Sequence, residues 1–259
     1  MKTNIVFEQS SFMQHTKHVI KPSCDLGARH LRESQQIQGI VFLLLVPLLF
    51  VGWVIFSRVL NLDVIFTARA AAISAIPFVA LAIFVPLWLR YPAHIRQRGF
   101  VVQWFCIALF FNIAWEVPQL VFKSTFAAAA HTPENLPLFI AWWGYGSADL
   151  DYVQLTQFFV LAEISWWVAN ILAITGLVQL WRGAEAVAFV LLGVCGALQI
   201  YNVFFFIAYG GIVEGFNNIA TDSLMAPILY WSLNVIWGIA GGIASVLAFV
   251  CLFRLHDKQ

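Results

Sequence analysis

Six apolar runs of bilayer-spanning length fill the chain from residue 39 almost to its end, and they decide what it can fold into. They lie at 39–57, 70–90, 99–122, 154–181, 186–210 and 227–253. A helix needs roughly 20 mainly apolar residues to cross the hydrocarbon core of a membrane. Runs this long and continuous exclude barrel strands, and Pro77, Pro86, Pro118 and Pro227 fall inside or at the ends of runs, where membrane helices tolerate proline. Of the 259 residues, 61% are hydrophobic and only 10% charged, against about 25% charged in a soluble domain. The prediction is an all-α integral membrane protein of about six transmembrane helices in one membrane domain. A net charge of +1 gives no electrostatic case for a nucleic-acid partner.

Six spans put both termini on one side of the membrane. That side would carry Lys2, Lys17, Lys21, Arg29, Arg32, Arg90, Arg96, Arg98, Arg182, Arg254 and Lys258, and the other only Arg58, Arg69 and Lys123. Basic residues concentrate on the cytoplasmic side, so both termini are expected there. The loop 123–153, with Trp142, Trp143 and Tyr145, then lies outside or in a lumen, as an interfacial re-entrant or surface helix. Residues 1–38 form a polar cytoplasmic tail without an apolar segment and cleavage site, so no cleaved signal peptide is expected. Cys24, Cys106, Cys195 and Cys251 show no CxxC spacing and read as small buried hydrophobes. No metal, nucleotide or other cofactor motif is present.

The informative residues are those that do not belong in hydrocarbon. Glu116 falls in the third run and Glu163 in the fourth; Asn112 precedes Glu116 by one helical turn and shares its direction. Tyr201 and Asn202 in the fifth run, and Asn234 and Trp237 in the sixth, sit at a similar distance from the non-cytoplasmic ends. At 1.5 Å rise per residue, all lie roughly 10–16 Å below that surface. A charged side chain there costs about 2.5–3.5 kcal/mol on insertion scales, so such groups turn inward and toward each other. The expected picture is a polar-floored pocket walled by Trp115, Trp166, Trp167, Trp237 and phenylalanines. Asn112, Asn170 and Gln199 also suit interhelical hydrogen bonding alone. The two glutamates have no Lys or Arg in the interiors of the runs, and no His within them, to neutralise them; burial and mutual repulsion favour the neutral form of at least one. A carboxylic acid in such a pocket is a proton donor to an alkene or epoxide. A remaining carboxylate and the indole faces would stabilise a carbocation.

The same residues carry a family resemblance. DLDY followed by a glutamate (Asp149, Tyr152, Glu163) resembles the DxRY…E pattern of the emopamil-binding protein family, the sterol delta-8/delta-7 isomerases and their relatives sharing the EXPERA domain. LQIYNVFFF, with Gln199, Ile200 and Tyr201, is similar to its QIYGD stretch, GFNN to its GFxH, and NVIW, with Asn234 and Trp237, to its NxLW. NIAWE places Asn112 and Glu116 on its HxxxE pair. The resemblance covers roughly 70–253, leaving 39–57 as an additional transmembrane helix. It implies a five-helix bundle around an aromatic-lined, sterol-sized cavity opening to lipid. Glu116 and Glu163 would handle protons and Trp237 stabilise the cation, with Asn234 beside it. Asp149 and Tyr152 would shape the mouth of the site. Asn112 stands where the family has its histidine, and Asp151 where it has the arginine of DxRY.

FNIAWEVP (Phe111 to Pro118) also resembles a segment of the small membrane-bound terpene cyclases, in which a glutamate starts cyclisation by protonating an epoxide or alkene and asparagine is the expected residue. Three readings follow: an acid–base double-bond isomerase of a sterol or other isoprenoid, a terpene or meroterpenoid cyclase, and a non-catalytic sterol-binding protein. Each implies a lipophilic sterol or isoprenoid partner taken from membrane lipid. The location implied is the endoplasmic reticulum in a eukaryote or the inner membrane in a bacterium. Gly238, Gly241 and Gly242 suit close helix contact, within the bundle or in a homodimer.

Overall fold

The computed structural model describes residues 22–154 and 157–257, and these are helical almost throughout. In chain order they form α1 (Pro22–Leu60), α2 (Val64–Trp88) and α3 (Ala93–Phe111), which continues through a π-helical turn (Asn112–Glu116) into α4 (Val117–Val121). Three short helices follow, α5 (Lys123–Ala128), α6 (Leu136–Gly146) and α7 (Leu150–Gln154), then α8 (Gln157–Trp181), α9 (Glu185–Ile212) and α10 (Met225–His256). Six segments are long and apolar enough to cross a membrane: Gly39–Leu60, Val64–Trp88, Ala93–Val121, Gln157–Trp181, Glu185–Ile212 and Met225–His256. The chain is an all-α membrane protein, with span ends within six residues of those expected. Among the described residues the β-structure is one isolated bridge, Asp149 to Ile219.

Two boundaries differ. The tail expected over 1–38 is helical from Pro22 onward, continuous with the first span; residues 1–21 lie outside the described residues. The loop expected over 58–69 shrinks to 61–63. The Asp63 carboxylate caps α2 by accepting from the Phe66 amide at 2.7 Å, while Asn61, at φ 52°, turns the chain out of α1. A cap sets where a helix starts, so Arg69, assigned by its charge to a loop, sits in the second turn of α2 and is only 4% exposed.

The bundle is packed inside out relative to a soluble protein. Leu44, Leu48, Phe204, Ile212 and Val246 point outward, whereas the interior is rich in small residues, such as Ala68, Ala71, Ala75 and Ala82 of α2 and Ala240, Ala244 and Ala248 of α10. Lipid offers no hydrophobic drive for helices to associate, so close backbone approach supplies the attraction. On α9, a Cβ at Gly196 would lie 2.6 Å from the Gly241 carbonyl oxygen and 2.8 Å from the Ser245 amide nitrogen. Gly238, Gly241 and Gly242 face Val203, Gln199 and Ile200 of α9, so the glycine stretch serves contact within the bundle. Its α1 is peripheral: 17% of its spanning window is buried, against 33–50% for the other five.

The two ends are tied differently. At the end carrying the termini, Arg98 pairs with Glu185 at 2.6 Å and joins α3 to α9, beside a layer in which Phe100, Trp104 and Phe105 are fully buried. At the loop-bearing end, Arg69 fastens two connections. Its Nε donates to Ser147 Oγ at 2.9 Å, and Nη1 to Asp222 Oδ1 at 2.7 Å and Ser223 Oγ at 2.8 Å. Its Nη2 donates to the Ser147 carbonyl. The bound strands also meet through Ala220 N to Ala148 O at 3.0 Å and Leu150 N to Asn218 O at 2.8 Å.

Candidate functional site

Pro118 has no amide hydrogen, and its ring collides with the carbonyl four residues back, so a regular helix is disfavoured through the preceding turn. The chain opens there into the π turn, where the Val117 amide bonds the Asn112 carbonyl. One such turn inside an α-helix re-aims the side chains around it. Asn112, Trp115 and Glu116 all line the same cavity, of about 180 Å³. The Trp115 carbonyl, part of the opened turn, accepts from Trp142 Nε1 at 3.1 Å.

Each long helix contributes to this cavity: Val46 and Phe50 from α1, Ala75 and Val79 from α2, Glu163 and Trp166 from α8, Val203 and Phe206 from α9, and Asn234 and Trp237 from α10. Tyr145 of α6 and Tyr152 of α7 close it at the loop-bearing end. The remainder is mostly aromatic and aliphatic, including Phe111 and Phe159. Glu116 and Glu163 thus face one space from two helices, near enough to interact electrostatically. Glu163 is 7% exposed, and Glu116 Oε2 is buried without a hydrogen-bond partner. Trp237 also lines it, edge-on to Trp104 at 5.1 Å and to Phe111 at 5.5 Å. Behind it Trp104 Nε1 donates to Gln199 Oε1 at 2.7 Å.

A polar chain leaves the cavity at the loop-bearing end. Asn234 Nδ2 donates to the Tyr230 carbonyl at 2.8 Å and to the Tyr145 hydroxyl at 3.3 Å. Tyr145 in turn donates to Asp149 Oδ2 at 3.1 Å, and Asp149 Oδ1 accepts from the Asp151 amide at 3.1 Å. Asp149 is wholly buried. Burial pushes its carboxyl up to about 7, with the Tyr145 hydrogen bond pulling the other way. Burial likewise holds the Tyr145 and Tyr152 hydroxyls well above their ordinary range.

Of the residues expected at the site, Glu116, Glu163, Trp237, Asn234, Asn112, Trp115, Trp166 and Tyr152 line the cavity. Asp149 stands one layer back, reaching it through Tyr145 rather than shaping its mouth. Tyr201 does not belong to it: 58% exposed on the outside of α9, it stacks on Phe205. Neighbours on a helix point about 100° apart, so the turn that buries Asn202 sends Tyr201 outward, and Trp167 leaves the lining while Trp166 stays. Asn202 accepts from Ser165 Oγ at 2.6 Å, joining α9 to α8 outside the lining. Asn112 lines the cavity but spends its amide on Asn170 Oδ1 at 2.9 Å.

Sequence reasoning missed Tyr145, placed at the interface with its tryptophan neighbours, and the two α1 residues. Tyr145 precedes Asp149 by four residues, the spacing at which helical side chains meet, and that was its available signal. The pairing of Val46 and Phe50 with the cavity has none. Among the described residues, no group of three or more His, Cys, Asp or Glu side chains is arranged to hold a metal ion. Compared with protein-family models, with curated proteins and with solved structures, the chain finds no match.

Proposed function

We propose that this chain is a membrane-embedded acid–base enzyme that shifts a double bond in a sterol or related polycyclic isoprenoid through a carbocation. The observation that carries the reading is the convergence of Glu116 and Glu163, from separate helices, on one aromatic-walled cavity that Trp237 also lines. One glutamic acid delivers its proton to an alkene carbon, leaving a cation on the neighbouring carbon. The other, as carboxylate, removes a proton from the adjacent C–H bond, whose electrons form the new double bond. Two positioned groups suffice for this chemistry. The faces of Trp237 and Trp115 attract the cation, and Asn234 orients the polar end of the substrate. After each turnover the two glutamates have exchanged protonation states.

The resemblance of NIAWE, DLDY and NVIW to the emopamil-binding protein pattern supports this reading, and the basic-residue distribution supports cytoplasmic termini in an endoplasmic-reticulum or bacterial inner membrane. A second reading, epoxide-initiated cyclisation of a linear prenyl chain, is favoured by one observation. Asn112 is bonded to Asn170 and supplies no proton where the isomerases have histidine. The deciding experiment incubates membranes containing the protein with a delta-8 sterol, and separately with a linear epoxy-prenyl substrate, in deuterated water. Sterol isomerisation with deuterium incorporated, lost in Glu163→Gln and Glu116→Gln, is the expected result. Conversion of the epoxide alone moves the assignment to cyclase. Saturable sterol binding that survives both substitutions without turnover refutes catalysis.

A further inference from the structure

We propose that Tyr145 and Asp149, continued by Asp151 and Glu214, form the path by which protons pass between the cavity and the water at the loop-bearing end of the bundle. The proposal rests on the acid–base reading above, because it concerns how the glutamate pair is returned to its starting state.

The opposite direction is closed. Between the cavity and the end carrying the termini stand Trp237, Trp104 and Phe105, the last two fully buried, and Gln199 there already accepts the Trp104 indole. Toward the loop-bearing end, polar groups thread an aromatic cluster that includes Phe158, Phe159 and Phe206. The Tyr152 hydroxyl lies within electrostatic reach of both glutamates, and its ring meets Tyr145 at 5.2 Å. Tyr145 is bonded to Asp149 at 3.1 Å, the Asp151 carboxylate lies within electrostatic reach of Asp149, and it neighbours that of Glu214, a residue in the connection after α9.

The division of labour within Asp149 argues for transport over structure. Its Oδ1 makes the turn that starts α7, a task asparagine performs equally well. Its Oδ2 is turned to a cavity-lining hydroxyl, and a buried carboxyl without a cationic partner is costly. A carboxyl poised near neutrality by burial takes and gives protons readily. In each transfer, Asp149 in its acid form gives its proton to the Tyr145 oxygen as Tyr145 passes its own hydroxyl proton to the cavity glutamate that stands as carboxylate. The Asp149 carboxylate is then re-protonated from Asp151 and Glu214, and these from water. Every link gains one proton as it loses one, and Tyr145 never becomes a tyrosinate.

Infrared spectroscopy of the purified full chain in lipid nanodiscs, moved from light to heavy water, tests this without a substrate. The carboxylic C=O band that disappears in Glu116→Gln or Glu163→Gln identifies the cavity proton, and its shift on deuteration times exchange. In Asp149→Asn and Tyr145→Phe the band should persist but exchange at least about tenfold more slowly. Ser223→Ala, at the same end but off the path, should leave the rate unchanged. Melting temperatures close to wild type establish that the variants are folded. Unchanged exchange in both Asp149→Asn and Tyr145→Phe overturns the path while leaving the acid–base reading intact. Absence of any band sensitive to Glu116 or Glu163 overturns the acid–base reading and the path with it.

Discussion

Replacing Arg69 by methionine keeps the length and apolar stem of the side chain and removes the guanidinium that joins α2 to Ser147, Asp222 and Ser223. Four hydrogen bonds are lost, one of them to a charged partner. Hydrogen bonds to charged groups are each worth about 1.5–3 kcal/mol, but summing them overcounts, since the acceptors regain partners. Asp222 is 62% exposed and returns to water, whereas Ser147, held under the guanidinium, does not fully. Breaking a buried ion pair costs about 3–5 kcal/mol when the remaining charge stays buried; here it does not, so the low end, about 3 kcal/mol, applies. At roughly 2–4 °C per kcal/mol for a chain of this size, thermal unfolding in detergent, followed by tryptophan fluorescence, should fall by about 6–12 °C. Asp222→Asn keeps an oxygen acceptor but leaves the guanidinium, 4% exposed, without its counter-charge, and should cost a comparable amount, about 3 kcal/mol. An Arg69→Met melting temperature within a degree of wild type would refute the view that this residue fastens the loop-bearing end.

Gly196→Ala places a methyl group against backbone atoms of α10 that cannot yield, and overpacking of this kind costs about 1–3 kcal/mol; the melting temperature should drop accordingly. Asp149 gives wild type a pH dependence of definite sign. Its carboxyl titrates near 7 in the fold, above the ordinary 3.8, so the native state holds its proton longer and stability declines as pH rises from about 4 to 7, by on the order of 4 kcal/mol. Melting should therefore be lower at pH 8 than at pH 5, and Asp149→Asn should flatten that difference. Tyr201→Leu, on the lipid-facing side of α9, should change stability by no more than about 0.5 kcal/mol and, under the proposed function, leave sterol turnover at the wild-type rate.

The fold was legible in the sequence because the property that fixes it, the length of apolar runs against bilayer thickness, is local and additive. Glu116, Glu163, Asn234 and Trp237 could be brought to one level for the same reason: helical rise converts residue counts into depth. Azimuth was less legible. Depth alone could not separate Asn202, turned inward, from Tyr201, turned outward, and in runs apolar on every side hydrophobic periodicity supplies no inner face. Arg69 was misplaced because hydropathy treats charge as a boundary, whereas Asp63 had already started the helix. The π turn follows from Pro118, but its effect on where Trp115 and Glu116 point needed the backbone itself.

The cavity wall built by Val46 and Phe50 belongs to the helix least embedded in the bundle. If the cavity takes a lipophilic substrate as proposed, a route on that side runs past α1, and displacing that helix works against surrounding acyl chains rather than against water. The rate of ligand exchange then becomes a property shared with the bilayer: stiffer, more ordered lipid slows it and fluid lipid speeds it, with no change in any residue of the site.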